Sequence, residues 1–267
     1  MAEGDARATP PSSVTGRVLS ILSVFEQSLA PRSLTEISAE TGLALSTTHR
    51  LVGELEQWGA LQRDPNGRYQ IGLRLWELGQ HAGRQVRDIA RPLLQDLYSL
   101  TQCTVHIAIR ENGEALYIDR VYGTRRVPQA SRVGGRLPLH ATAVGKVLLA
   151  FEEPWVREAI LAQPLESRTS RTHVDPEALR QELALVVKRG YAIAIEEVRE
   201  GSASIAVPVF QRSGGIGAAL GLVVETGQAE SLERHLPAMR GIARRIELSV
   251  GAFPLRSLGV RPANPPS

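Results

Sequence analysis

Residues 33–59, SLTEISAETGLALSTTHRLVGELEQWG, constrain the fold more than any other stretch of the chain. Ser33 and Glu36 have the spacing of a capping box, which predicts a helix opening at Leu34 and burying Leu34 and Ile37. Gly42 can take the positive φ that ends such a helix. A turn of a few residues follows, and Ser46 is placed to cap a second helix. Thr48, Leu51, Val52 and Leu55 would form its inner face. Upstream, Val18, Ile21, Leu22 and Phe25 recur at helical spacing and predict a further helix. Downstream, Leu61, Arg63, Tyr69 and Ile71 flank PNG, a strong signal for a two-stranded hairpin. Helix, helix, tight turn, helix and basic hairpin make a winged helix-turn-helix over residues 14–74.

The outer side of the last helix carries small polar residues at its front, which let a backbone approach a DNA groove closely. Arg50 can reach a guanine edge or a phosphate, and the positive end of the helix dipole favours a phosphate. Arg63 and Arg68 on the hairpin would hold flanking backbone. The candidate DNA-contacting residues are Thr35, Ser46, Thr47, Thr48, His49, Arg50, Arg63 and Arg68. Charge alone does not single out this unit, because its arginines are matched in number by acids. The alternative is a helical packing module that binds no DNA, and the placement of the arginines favours DNA.

Composition narrows the rest. The net charge of +3 is too small to imply a nucleic-acid partner by itself. A single cysteine, Cys103, excludes an internal disulfide and a cysteine metal cluster. No run approaches a membrane span and no leader pattern opens the chain, so a soluble cytoplasmic protein is expected. The ends, residues 1–13 and 254–267, are rich in Pro, Ser, Gly and Arg and are expected to be poorly ordered.

Residues 75–101 read as a helical connector. Val86, Ile89, Ala90, Leu93, Leu94, Leu97 and Leu100 follow helical spacing, and Pro92 should kink the stretch or open a second helix. From residue 102 to 253, strands alternate with helices. TVHIAIR and ALYIDRVY are strands joined by a turn at ENGE, followed by helices near 142–150 and 155–162. Asp175, Pro176 and Gly190 frame a third helix. YAIAIEE, SASIAVPVF and GIGAALGLVVE are strands, the last two apolar enough to be central, and an amphipathic helix over 231–250 closes the unit. The expected fold is an α+β domain around an antiparallel sheet.

LPLHATAVGK, residues 137–146, raises the question of chemistry. A P-loop needs glycine where His140 stands and Ser or Thr where Val147 stands, so that reading fails. No G-x-S-x-G elbow accompanies His140, and the six histidines of the chain show no metal-binding spacing. No catalytic residue, metal or cofactor is expected. His140 reads as a satisfied histidine at a helix entrance and Lys146 as a solvated helix residue. Ala141, Ala143 and Gly145 are small, which suits a helix start lining a cavity.

Three separated stretches, STTHRLVGELEQWGALQRD with NGRYQIGLRLWELG, LPLHATAVGKVLLA, and GYAIAIEEVREGSASIAVPVF, together resemble the IclR family of bacterial transcriptional regulators. The resemblance covers residues 14 to about 253. It implies a winged helix-turn-helix, a linker helix used in dimerisation, and a GAF-like C-terminal domain that binds a small effector. It also implies dimers or dimers of dimers on palindromic operators, most of them repressing. In the family, effectors sit between the loop-helix segment and the sheet, which places His140, Ala141, Thr142 and Ala143 at the pocket. An acid on the strand after the third helix, a cysteine and two serines complete the family's polar set. Here those positions fall at Ala194, Ser204, Gly221 and Val223. Because a buried carboxylate needs donors, the pocket is expected to take a larger or more apolar effector, or none. Glu196 and Glu197 lie nearby, and strand alternation would put only one of them inward. The rival readings are a DNA-binding regulator without a ligand and an enzyme carrying a dimerisation module.

Overall fold

In a computed structural model, the described residues are 11–26, 30–79, 84–123, 132–212 and 214–250. The chain divides into two compact units between Ala82 and Gly83. Residues 1–10 and 251–267, the side chain of Val86 and residues 80–83 of the connector lie outside what is described.

In the first unit α1 (Val14–Ser23) is capped by Ser13, whose side chain accepts from Gly16 N. α2 (Leu34–Thr41) opens on the expected capping box, Ser33 with Glu36, and closes on Gly42 at φ +68°. α3 (Leu45–Trp58) starts one residue earlier than expected, after Ala44, and no side chain caps it. Ser46 is therefore an exposed first-turn residue rather than the cap. β1 (Leu61–Arg63) and β2 (Tyr69–Ile71) pair antiparallel. The Asp64 carboxylate accepts from the Asn66 and Arg68 amides, and Gly67 supplies a positive φ of 77°. Ile21, Phe25, Ile37, Leu51, Val52, Leu61 and Tyr69 form this unit's core. α4 (Leu73–Gly79) ends it and leaves Leu73 and Trp76 exposed.

The second unit begins with α5 (Arg84–Thr101), which continues through Pro92 rather than breaking there. The connector is thus no separate unit: Ala90, Leu93, Leu94 and Leu97 belong to the core beneath the sheet. The strands are β3 (Thr104–Glu111), β4 (Glu114–Val121), β5 (Arg136–Pro138), β6 (Ala192–Ile195), β7 (Ser202–Phe210) and β8 (Ile216–Glu225). They form one antiparallel sheet in the order β5-β4-β3-β8-β7-β6. The short edge strand β5 had no periodicity from which to predict it.

α6 (Ala143–Ala150), α7 (Pro154–Leu161) and α8 (Pro176–Arg189) accompany one face of the sheet. α5 and α9 (Leu236–Val250) cover the other. β7 and β8 are buried on both faces, which explains their nearly continuous apolar sequence. The closing helix starts at Leu236 instead of 231, after a 3-10 segment over Thr226–His235. Pro237 falls in its first turn, where a missing amide costs nothing. Small residues on the α6 face of the sheet, Ala108, Ala206 and Ala219, let α6 pack so closely that every one of its residues is buried.

Candidate DNA interface and effector pocket

On α3 the side chains sort cleanly. Thr48, Leu51, Val52 and Leu55 face the core, while Ser46, His49 and Arg50 are exposed and Thr47 is partly so. Thr48 is 0 % exposed and its hydroxyl donates to the Ala44 carbonyl, so it cannot touch DNA without unfolding the turn. Contrary to the expectation from sequence, Thr48 is a core residue of α3 and not a DNA contact. Arg50 is exposed and pairs with Glu54 one turn on, at 2.6 Å. Such a pair at the surface holds the side chain only weakly and can exchange for a phosphate or base.

Arg63 pairs with Glu56 and lies over the Tyr69 ring. Arg68 has a structural task that spacing did not suggest. Its Nη2 donates to both Glu36 oxygens and its Nε to the Pro31 carbonyl, tying the hairpin to the start of α2. The same contacts, after the Ser33 amide, hold the Glu36 carboxyl below its ordinary range. Thr35 is exposed on the first turn of α2.

In the second unit, Thr142 caps α6 by accepting from Gly145 N and donates to the Pro138 carbonyl. A side chain at Gly145 would collide with the Leu139 carbonyl and the Thr142 hydroxyl. Ala141, Thr142 and Ala143 line a small cavity of about 50 Å³, partly open to solvent, together with Ala194, Glu196, Ser204 and Val223. Two expected residues stand apart from its lining. His140 turns away, its Nε2 2.9 Å from the Glu166 carbonyl, with burial pushing its pKa down. Gly221 lies beneath the His106 ring, where a Cβ would overlap Nε2.

The cavity is not devoid of donors. His106, Tyr117 and Arg120 line it, all three buried. Burial, with the Arg120 charge, drives the His106 pKa down to about 3, so the imidazole is neutral. Tyr117 is likewise raised by burial and hydrogen-bonds Thr142. The Arg120 guanidinium stands 5.2 Å from the Tyr122 ring centroid. Simple alternation along β4 would put Tyr117 and Arg120 on opposite faces. A bulge lets both turn inward: Tyr117 pairs with Ala108 and Arg120 with His106, leaving Ile118 as the extra residue. Asp119 then faces the other way, to Arg91 on α5.

Lys146 is the largest departure from expectation. It is 0 % exposed rather than solvated, and its ammonium donates to Glu197 at 2.6 Å and Glu182 at 2.7 Å. Glu197 is also buried, and burial raises its carboxyl pKa against the pull of Lys146. Glu196 instead takes a positive φ of 57° just past β6, accepts from Gly201 N and Thr226, and pairs with Arg171. A strand end that turns in this way seats both acids, so alternation did not apply. Among the described residues, no cluster of His, Cys, Asp or Glu could hold a metal ion, and no helix is long and apolar enough to cross a membrane.

A winged helix-turn-helix followed in the chain by an α+β unit with a small cavity defines a ligand-responsive DNA-binding class. The comparisons give the family. A profile described as the IclR helix-turn-helix domain matches residues 14–65, and one described as the bacterial transcriptional regulator IclR C-terminal domain matches 81–248. The HTH-type transcriptional regulator XynR of Escherichia coli is 36% identical, over 81% of this chain and 88% of its own length. The transcriptional repressor IclR of the same species is 33% identical, over 77% and 78%. A crystal structure of an IclR homolog from Microbacterium hydrocarbonoxydans, complexed with 4-hydroxybenzoate, superposes with a TM-score of 0.83 at 32% identity, covering 89% of this chain and 99% of that one. The chain belongs to the IclR family of DNA-binding transcriptional regulators.

Proposed function

We propose that this protein represses transcription as a homo-oligomer on a palindromic operator, under the control of a small molecule held in the α6 cavity. The observation that carries the DNA reading is the outward row Ser46, Thr47, His49 and Arg50 on an uncapped α3. Its first amides need partners, and a phosphate supplies them. Arg50 and Thr47 read or approach bases, and Arg63 holds backbone. Arg68 acts mainly by positioning the hairpin. Leu73 and Trp76, exposed on α4, support contact with a second copy. Two copies on one duplex require half-sites about 34 Å apart, or a multiple of that. Ligand binding then acts by changing the spacing of the two DNA-binding heads.

The repressor names among the relatives support the sign of regulation, and the ligand in the Microbacterium homolog supports the small-molecule control. Selection of bound fragments from genomic DNA, followed by footprinting, tests the reading. Paired protected half-sites in helical phase are expected, and sequence-independent binding would overturn it.

A further inference from the structure

β6 is an edge strand of the sheet, and a second hollow borders it. Ala194 faces the α6 cavity, so strand alternation turns Ile193 and Ile195 the other way, and both line this open groove of about 500 Å³. Arg171 and His173 border it from the segment before α8, and Glu182 from α8 itself. Among the described residues, Glu197 alone lines both the groove and the α6 cavity. The two are separate spaces with that carboxylate between them.

Glu197 is held there by a rigid frame. Thr169 Oγ1 donates to the Glu196 carbonyl and Thr172 Oγ1 to the Glu197 carbonyl, both at 2.6 Å, where the left-handed φ of Glu196 turns the chain. The Glu197 side chain is only 6 % exposed, yet its Oε2 has no hydrogen-bond partner among the described residues. Buried polar atoms are rarely left so, and a bound donor would recover the lost hydrogen bond. Charge sets the sign of that donor. Arg171 is balanced by Glu196. Glu182 and Glu197 share the single ammonium of Lys146, and His173 Nδ1 stands 2.9 Å from the second Glu182 oxygen. Two carboxylates on one ammonium leave an excess negative charge whenever that imidazole is uncharged, and an uncompensated charge in a partly buried place is costly.

We propose that this groove is a second ligand site, which takes a small primary amine with an apolar body. The ammonium donates to Glu197 Oε2 and lies against the Glu182 carboxylate, supplying the missing positive charge. Both carboxylates already meet at Lys146, so they stand close enough together for one further ammonium to serve them. The apolar body covers Ile193 and Ile195, the latter 38 % exposed at the sheet edge, and removes that surface from water. The site goes beyond the control attributed to the α6 cavity and does not depend on that cavity being occupied.

Titration calorimetry on the full-length protein, without DNA, tests the class with three probes. These are 2-phenylethylamine, its N,N,N-trimethylammonium analogue, which keeps the charge but has no N–H donor, and 2-phenylethanol, which keeps a donor but has no charge. The amine should bind at least about tenfold more tightly than either analogue, as expected when a buried polar group is left unpaired. Methyl NMR of the parent protein locates the site: the Ile193 and Ile195 methyl signals should shift as the amine is added. Ile195→Lys places a competing cation at the groove and should weaken amine binding by at least about tenfold. A smaller preference over either analogue, no binding of the amine at millimolar concentration, or unmoved Ile193 and Ile195 signals would each overturn the proposal, as would unchanged affinity in a folded Ile195→Lys protein. The calorimetry and the NMR need only the parent, so an unstable variant does not blunt the test. None of these readouts involves DNA, and failure here leaves the regulator standing.

Discussion

At the scale of single residues, His106 carries a stability signature. Its pKa is pushed from 6.5 to about 3 in the folded chain, so the unfolded chain binds the proton first. Stability is therefore full above pH 6.5 and falls as pH drops towards about 3, by roughly 1.4 kcal/mol per unit. Urea unfolding between pH 4 and 7 should show that slope, and His106→Gln should flatten it. Gly221→Ser restores the family's serine against the ring of His106 and should cost about 1–3 kcal/mol by overpacking, measured by thermal melting. A stabilised Gly221→Ser variant would mean the ring is not seated there. His106 and Arg120 were illegible in the sequence, where they are alternating residues of ordinary strands. Only the bulge at Ile118, which no local pattern announces, turns Arg120 inward beside Tyr117.

At the scale of elements, local chemistry was readable wherever a cap or a turn fixed it. The Ser33–Glu36 box, Gly42, Asp175, Pro176 and Gly190 act where spacing placed them. Ser33→Ala should cost about 1 kcal/mol of first-unit stability. The depressed Glu36 pKa makes the sign of its pH effect definite: its contribution is present above the ordinary carboxylate range and is lost as pH falls through the folded value. α6 was read correctly as a helix but wrongly as partly solvated. The reason is tertiary, because Glu182 on α8 and Glu197 after β6 arrive from distant sequence to enclose Lys146. Lys146→Met would strand those carboxylates and should destabilise by about 3–5 kcal/mol. Adding Glu197→Gln to it should recover part of the loss; an additive or greater loss would show that the pair does not act as a unit.

At the scale of the whole molecule, the sequence conveyed two functional units, because helical and strand periods change once along the chain. The apolar face of α5 is taken up by its own unit's core, and Leu100 at its end is left exposed. If the exposed α4 surface meets a second copy, as proposed above, truncating Trp76 to Ala should weaken self-association in sedimentation experiments. The central claim is that α3 is the element that meets DNA. Fluorescence anisotropy with a selected operator fragment and a scrambled control, comparing the parent with Arg50→Ala, tests it most directly. The account predicts that Arg50→Ala keeps its fold and oligomeric state and loses the preference for the operator. An Arg50→Ala protein that distinguishes operator from scrambled DNA as the parent does would contradict it.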